Sequence, residues 1–523
     1  MKLIKYFSLK RLRILYSSIF FILYILLFSG AFIAGGFLIR FLESTQLIPS
    51  ILYLKNGLFS GVFGLLVIIL LTFFFGRIYC SGICPLGTLQ DIFLSFRKKR
   101  NFRYRKPFFW IHYGILIAVI ISAIAGFSFF IGIVDPFSFF GRIFVAIFKP
   151  IFSIVYNFLT LVLGRLKWLF LKPIPLYNIP FFSLIFSVFL FTLLFFASAF
   201  YGRIYCNAIC PIGAILGILS RISLFKVRFD EKCIECGLCV NNCPASCIDV
   251  NNRYVDNTRC IKCFNCINLC PQKSLSYGII NSSKKANSHL SDSVIPDKGR
   301  RNALMFTGRI VSTGFLLLLA NRSKIFSSPV LTAKKKKYPV SPPGSLSFKH
   351  LHENCTSCLL CVSNCPTGVI KSSVKEYGIM GLFMPTMDYD KSFCNYDCVR
   401  CTEVCPTGAL KRLSVEEKHK VQLGRVRLLK NLCIVYQQNK HCGACAEACP
   451  TKATFMVPFK GNLYAPETDE KYCVGCGACE HVCPAKPEKA IYVEGLTMHQ
   501  IAVIKKEIKS ERKEEQGLKE FPF

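Results

Sequence analysis

Twenty-nine cysteines stand in this 523-residue chain, and most of them fall in one repeated phrase. Cys233, Cys236, Cys239 and Cys243-Pro244 read C-x2-C-x2-C-x3-C-P, and Cys260, Cys263, Cys266 and Cys270-Pro271 repeat it. Thiolates at this spacing suit a four-iron, four-sulfur cubane. Three cysteines in a tight loop cap three irons, and the fourth opens a helix that turns toward a neighbouring cubane. The proline after it starts that helix. One cubane therefore takes Cys233, Cys236, Cys239 and Cys270. The other takes Cys260, Cys263, Cys266 and Cys243.

Four further phrases follow, each closed by a proline. Cys355, Cys358, Cys361, Cys365 and Cys473, Cys476, Cys479, Cys483 are regular. Cys394, Cys398, Cys401, Cys405 is one residue longer, and Cys433, Cys442, Cys445, Cys449 has a long first gap. They suggest two more dicluster modules, with the pairing among the four left open. Structural zinc is the competing reading, but zinc sites use two separated C-x2-C pairs, not a three-cysteine loop with C-P. Disulfides do not repeat one four-cysteine phrase six times. Six [4Fe–4S] clusters are expected.

A second repeat lies outside these phrases. Gly76-Arg77-Ile78-Tyr79-Cys80-Ser81-Gly82-Ile83-Cys84-Pro85 returns as Gly202-Arg203-Ile204-Tyr205-Cys206-Asn207-Ala208-Ile209-Cys210-Pro211. Each copy ends an apolar segment, and repeated helical halves commonly build a site at their interface. Cys80, Cys84, Cys206 and Cys210 converging there would hold a seventh iron–sulfur cluster. A redox-active dithiol pair and a packing motif with buried cysteines are the alternatives. One cysteine remains, Cys247, and it reads as packing.

These residues must be positioned by two kinds of structure. The chain is 52% hydrophobic, and apolar runs at about Ile14–Ile39, Leu58–Phe75, Phe108–Val134 and Ile179–Phe200 predict four spanning helices. Phe144–Phe170 is apolar but broken by Pro150, Arg165 and Lys167. It reads as interfacial or re-entrant, with a further span as the alternative. Residues 221–280 and 350–500 carry the cysteine phrases. The expected fold is a membrane α-helical bundle, four core helices plus a fifth, with α+β bacterial-type dicluster ferredoxin domains. Residues 281–299 and 321–349 read as linkers, and 501–523 as a charged tail. Arg300-Arg301 before an apolar run to Ala320 has the form of a Tat signal, which makes 300–320 the fifth membrane helix.

The formal charge of +35 raises the question of nucleic acid. Residues 350–523 carry 23 Lys+Arg against 20 Asp+Glu, so +32 of it lies in residues 1–349, around the apolar segments. Juxtamembrane topology explains this better than a nucleic-acid groove, and no nucleic-acid partner is expected. The basic stretches Met1–Arg13 and Arg97–Lys106 belong in the cytoplasm, and four spans return the first ferredoxin domain there. Translocation of residues after 320 would place the second in the periplasm of a bacterial inner membrane.

Residues 1–280, with both helix-end repeats, Asp135-Pro136-Phe137 and one dicluster ferredoxin, resemble NapH, the membrane component of the quinol dehydrogenase serving periplasmic nitrate reductase. Its relatives include the membrane halves of NosR and CcoG. Residues 296–500 resemble the NapG/MauM ferredoxins. The resemblance implies quinone or menaquinone as a partner, with lipid and redox proteins in a multi-subunit complex. Nothing resembles the flavin domain of NosR, so flavin is not expected. There is no C-x2-C-H for a c-type haem, and His112 alone in the predicted spans does not support haem b. His112 reads as an interfacial histidine more than a quinone contact. No residue reads as a general acid or base. Two functions follow: an electron conduit between the quinone pool or a cytoplasmic donor and a redox protein, or an assembly factor that reduces a metal or thiol for a partner metalloenzyme.

Overall fold

The computed structural model describes residues 9–30, 36–56, 60–97, 101–106, 108–165, 173–174, 179–279 and 336–503. The predicted linker 281–299, the twin-arginine segment 300–320 and the tail from Lys505 lie outside them.

The helical part begins with α1 (Leu9–Ser29), α2 (Gly36–Ser44), α3 (Leu47–Lys55) and α4 (Ser60–Phe75). The first predicted span is corrected here. It ends at Ser29, because Gly30 takes a positive φ of 74°, a conformation that stops a helix. The apolar run continues instead into the short pair α2–α3, which packs on α4. Gly61 and Gly64 lie directly beneath the backbone of Ser50 and Ser44.

Short α5 (Tyr79–Gly82) and α6 (Pro85–Ser95) follow, then α7 (Phe109–Ile124) and α8 (Ser128–Val134). The third predicted span is thus two helices, parted at Gly126 (φ 80°). The Ser128 hydroxyl beyond the break donates to the Glu353 carbonyl.

The described part of the segment read as interfacial is helical. α9 (Pro136–Ile143), a π-turn at Phe144–Phe148 and α10 (Lys149–Arg165) run on without a break. Pro150 lacks an N–H and would disrupt a regular helix. The wider π-turn just before it takes up the mismatch, with the Lys149 N–H returning to the Phe144 carbonyl. Residues 136–162 are as able to cross a membrane as α1 and α11 (Phe181–Tyr201), the three helices among the described residues long and apolar enough to do so; α4, α7 and α12 (Pro211–Ser220) are apolar but shorter. Twenty-one residues rise about 30 Å, the thickness of a bilayer core. The outer faces carry exposed Ile19, Phe63, Ile120, Ile154, Phe158 and Phe189, an apolar belt of the kind that lipid covers.

The first cysteine-rich module is closed by β1 (Phe225–Phe229) pairing antiparallel with β4 (Leu275–Ile279), with β2 (Ile248–Asp249) on β3 (Tyr254–Val255) between them. The second contains β5 (Ile370–Ser372) on β6 (Pro385–Met387), β7 (Val421–Leu428) on β10 (Ile491–Ile501), and β8 (Thr454–Lys460) on β9 (Leu463–Thr468). Residues 336–349, assigned by sequence to a linker, belong to this module. Val340 is buried, its carbonyl accepts from Met387 N, and the Gly344 carbonyl accepts from Lys411 N.

The modules dock at opposite ends of the helices. The first meets the ends of α4 and α11: Leu224 N bonds the Phe73 carbonyl and Arg203 N the Pro244 carbonyl. The second meets the other ends. Asn364 Nδ2 donates to the Leu27 carbonyl at the end of α1, and Phe383 packs on Phe182 and Phe186 at the start of α11. Gly141 and Gly132 allow backbone to touch backbone. A Cβ on Gly141 would lie 2.3 Å from the Cys358 carbonyl oxygen, and one on Gly132 2.4 Å from that of Thr356.

Candidate iron–sulfur sites

The four regular phrases share one loop conformation. The residues just before and just after the second cysteine have positive φ in each: Glu235 and Gly237, Lys262 and Phe264, Ser357 and Leu359, Gly475 and Gly477. Left-handed residues curl the loop and turn its N–H groups inward, a concavity that favours negative charge. Ser357 N lies 3.4 Å from Cys355 Sγ, and Gly475 N 3.3 Å from Cys473 Sγ. Holding Glu, Lys, Phe, Ser and Leu left-handed costs roughly 1–2 kcal/mol each, which the cysteine loops tolerate in three different phrases. The two irregular phrases differ. Val399 and Gly443 stay at negative φ, because an altered first gap approaches the second cysteine differently.

The fourth cysteines cross between phrases. Cys233, Cys236 and Cys239 line one cavity of about 330 Å³ with Cys270. Cys260, Cys263 and Cys266 line another of about 350 Å³ with Cys243. Cys433, Cys442 and Cys445 share a third, also about 350 Å³, with Cys483. The pairing that sequence leaves open is resolved by the remaining thiols. Cys405 neighbours Cys355, Cys358 and Cys361. Cys365 neighbours Cys394, Cys398 and Cys401. Cys449 neighbours Cys473, Cys476 and Cys479. The first phrase thus exchanges its last cysteine with the second, and the third with the fourth.

Burial pushes Cys355, Cys445 and Cys476 up to about 12. Ligation must supply the charge that makes such thiols thiolates. Among the described residues no three His, Cys, Asp or Glu side chains gather tightly enough for a single metal ion.

The repeated helix ends are related by an exchange. Gly76 and Gly202 both take positive φ, 76° and 72°, and end α4 and α11. Cys84 and Cys210 cap the next helices with matching dihedrals, φ −69° ψ 117° and φ −68° ψ 117°, each followed by proline at the first helical position. Arg77 Nη2 donates to the Cys206 carbonyl at 3.0 Å, and Arg203 Nη1 to the Cys80 carbonyl at 2.6 Å. Both arginines are fully buried, and all four cysteines are buried. The Cys206 and Cys80 thiols lie within each other's field, as do Cys84 and Cys210 with both. The four predicted residues are therefore brought together between the two halves. Asp91 completes the frame, bonded by Arg203 at 2.7 Å and by Arg13 at 2.6 Å. Sequence reading missed Asp91; its only sign was a lone acid among basic and apolar residues.

Two other residues sit beside these cysteines. His112 Nε2 lies 2.9 Å from the Cys210 carbonyl, so it buttresses a cysteine. It also lines a cavity of about 290 Å³ with Arg77, Phe108, Asn207 and Arg259. Cys247 is buried, with Sγ 3.6 Å from Cys243 Sγ, so it packs against a candidate ligand rather than into an apolar gap.

The sites form a sequence. Cys236 is exposed and marks the outer end of the first module. The inner cavity, with Cys243 and Cys260, abuts the helix-end repeat, where Lys262 lies against Gly76. Beyond the four helix-end cysteines, the Tyr205 hydroxyl donates to the Val134 carbonyl, and the adjacent α9 touches Cys358 through Gly141. In the second module Cys394 N bonds the Cys476 carbonyl at 2.9 Å, which joins its two halves.

Comparison with known proteins finds iron–sulfur family models and ferredoxin-type relatives. A 4Fe-4S binding domain model matches residues 58–103 and 183–230, the two helix-end repeats. 4Fe-4S dicluster domain models match 225–271, and 354–409 and 440–486. The uncharacterized protein MJ0749 of Methanocaldococcus jannaschii is 25% identical over 190 residues, 34% of this chain and 56% of that protein. The methylamine utilization ferredoxin-type protein MauM of Methylobacillus flagellatus is 29% identical over 203 residues, 37% of this chain and 82% of its own. The ferredoxin-type protein NapH of Haemophilus influenzae is 26% identical over 171 residues, 32% of this chain and 47% of its own. The chain thus spans about half the length of MJ0749 and of NapH.

Proposed function

The chain is similar to NapH- and MauM-type ferredoxin proteins, and from that we propose an integral-membrane electron conduit. Electrons pass between the quinone pool or a cytoplasmic donor and a redox partner protein, through [4Fe–4S] clusters held at the six ferredoxin phrases and a seventh at Cys80, Cys84, Cys206 and Cys210. One observation carries this reading. The two ferredoxin modules cap opposite ends of the same helices, and the helix-end cysteines lie between them. A one-step reductase has no need of such a row.

The protein's own contribution is position and field. Cluster chemistry is one-electron transfer, and ligation, burial and hydrogen bonds to sulfur set its potential. The left-handed loops aim N–H groups at the sulfurs. Arg77 and Arg203 place fixed positive charge beside the helix-end four, which favours the reduced, more negative state. The cavity beside His112 receives the quinone headgroup in this scheme. Residues 221–279 face the cytoplasm and residues 336–503 face the periplasm in this scheme.

Protease applied to intact spheroplasts, and separately to inverted vesicles, tests it. Residues after Lys336 should be cut in spheroplasts and residues 221–279 only in inverted vesicles. Cleavage of both from the same face would overturn the conduit.

A further inference from the structure

Glu43 in α2 is fully buried. Burial without a full complement of partners opposes a charged carboxylate. Its surroundings are sparse. Arg412 of the second ferredoxin module lies 3.9 Å away, and Arg40 is a more distant cation on its own helix. The packed helix α4 offers no titratable group. Among the described residues, Glu43 Oε1 has no hydrogen-bond partner.

The informative neighbour is Tyr53 in α3. Its hydroxyl lies 3.0 Å from Glu43 Oε2 and 2.7 Å from the Cys405 carbonyl. Both are acceptors when Glu43 is ionised, and a phenol has one proton to donate. The arrangement therefore has two states. With Glu43 ionised, Tyr53 donates to the carboxylate. With Glu43 protonated, the carboxyl donates to Tyr53, and Tyr53 is free to donate to the carbonyl of Cys405. The Arg412 side chain, 35% exposed, connects the site to solvent.

We propose that Glu43 takes up one proton from solvent when the [4Fe–4S] site of Cys355, Cys358, Cys361 and Cys405 gains one electron, and releases it on oxidation. The electron comes from the adjacent relay site or an external mediator, and the proton adds to a Glu43 carboxylate oxygen. Net charge in the buried region then stays constant, which matters where the effective dielectric is low. The Tyr53 hydroxyl turning to the Cys405 carbonyl reports the change to the ligand. This rests on reading those four cysteines as a cluster site.

The experiment is a mediated redox titration of the full chain in detergent, followed by electron paramagnetic resonance, over roughly pH 6 to 9. The site's signal is identified by its loss in Cys405→Ser. Its midpoint potential should fall toward about 59 mV per pH unit, the value for one proton per electron, and Glu43→Gln with unchanged iron content should flatten that slope. A flat wild-type profile, or an unaltered slope in Glu43→Gln, overturns the proposal. If Cys405→Ser removes no signal, the cluster reading itself fails, which is a separate result. Should Glu43→Gln not fold, redox-difference infrared spectra of the wild type decide. A protonated-carboxyl band appearing on reduction and shifting in D2O supports the proposal, and its absence overturns it.

Discussion

Arg77 holds the backbone carbonyl of Cys206 at 3.0 Å, and its counterpart Arg203 holds that of Cys80. Each half of the helical domain thus fixes the first cysteine of the other half. A charged side chain with no exposure is costly unless it is hydrogen-bonded. Arg77 also reaches Asn207 Oδ1 at 2.9 Å and the Thr258 carbonyl at 3.0 Å, so it ties the first ferredoxin module to the same frame. Replacing it with methionine keeps the volume and strands three acceptors, at about 1–3 kcal/mol each. Arg77→Met should lower thermal stability and deplete iron from the helix-end site. Arg77→Lys should rescue only in part, because one ammonium cannot reproduce the fork. Iron content per chain and the melting curve check this. Full iron in Arg77→Met would refute it.

The seven cubanes proposed would bring about 28 irons per chain. Double replacement of Cys80 and Cys206 by serine should remove about four of them and leave the ferredoxin signals unchanged. A redox dithiol at the same place would leave iron constant and abolish only a thiol-titratable pair. Iron analysis beside thiol counting in denaturant separates the two outcomes.

The crossed pairing makes a sharper forecast in the second module. Cys365→Ser should impair the site of Cys394, Cys398 and Cys401, not that of its own phrase. Cys449→Ser should likewise affect the site of Cys473, Cys476 and Cys479. Spectra of the two variants should lose different signals. Loss of the same signal in Cys365→Ser and Cys405→Ser would contradict the pairing.

Sequence carried the cofactor chemistry because cluster ligation imposes local spacing, and local spacing is written directly in residue order. The helix-end repeat was legible for the same reason: Gly76 and Gly202 stop helices, and Pro85 and Pro211 start them. The pairing of the last four phrases was not, since a fourth cysteine meets its partners only after long-range folding. The segment Phe144–Phe170 reads as interfacial because Pro150, Arg165 and Lys167 interrupt it, and the π-turn that carries the helix past Pro150 has no clear sequence mark. Glu43 and Asp91 look like ordinary polar residues in the chain. Only packing shows the first enclosed beside Tyr53 and the second clamped between Arg13 and Arg203.

The docking of the second module rests on backbone contact at Gly141 and Gly132, where no side chain fits. Gly141→Val adds three carbons against the Cys358 carbonyl, and overpacking of this kind costs about 1–3 kcal/mol. The module's own strands do not involve Gly141, so its clusters should assemble normally. The module should instead separate from the helices, and tunnelling between the helix-end site and Cys358 should slow as the gap widens. Gly278→Ala, where the added Cβ meets nothing within 4 Å, is the control. Rapid-freeze resonance after reduction at the first module should show the inner clusters reduced on time and the outer ones delayed in Gly141→Val alone. Equal rates in both variants would mean that this contact does not carry the electron, and that the second module is fed by another route.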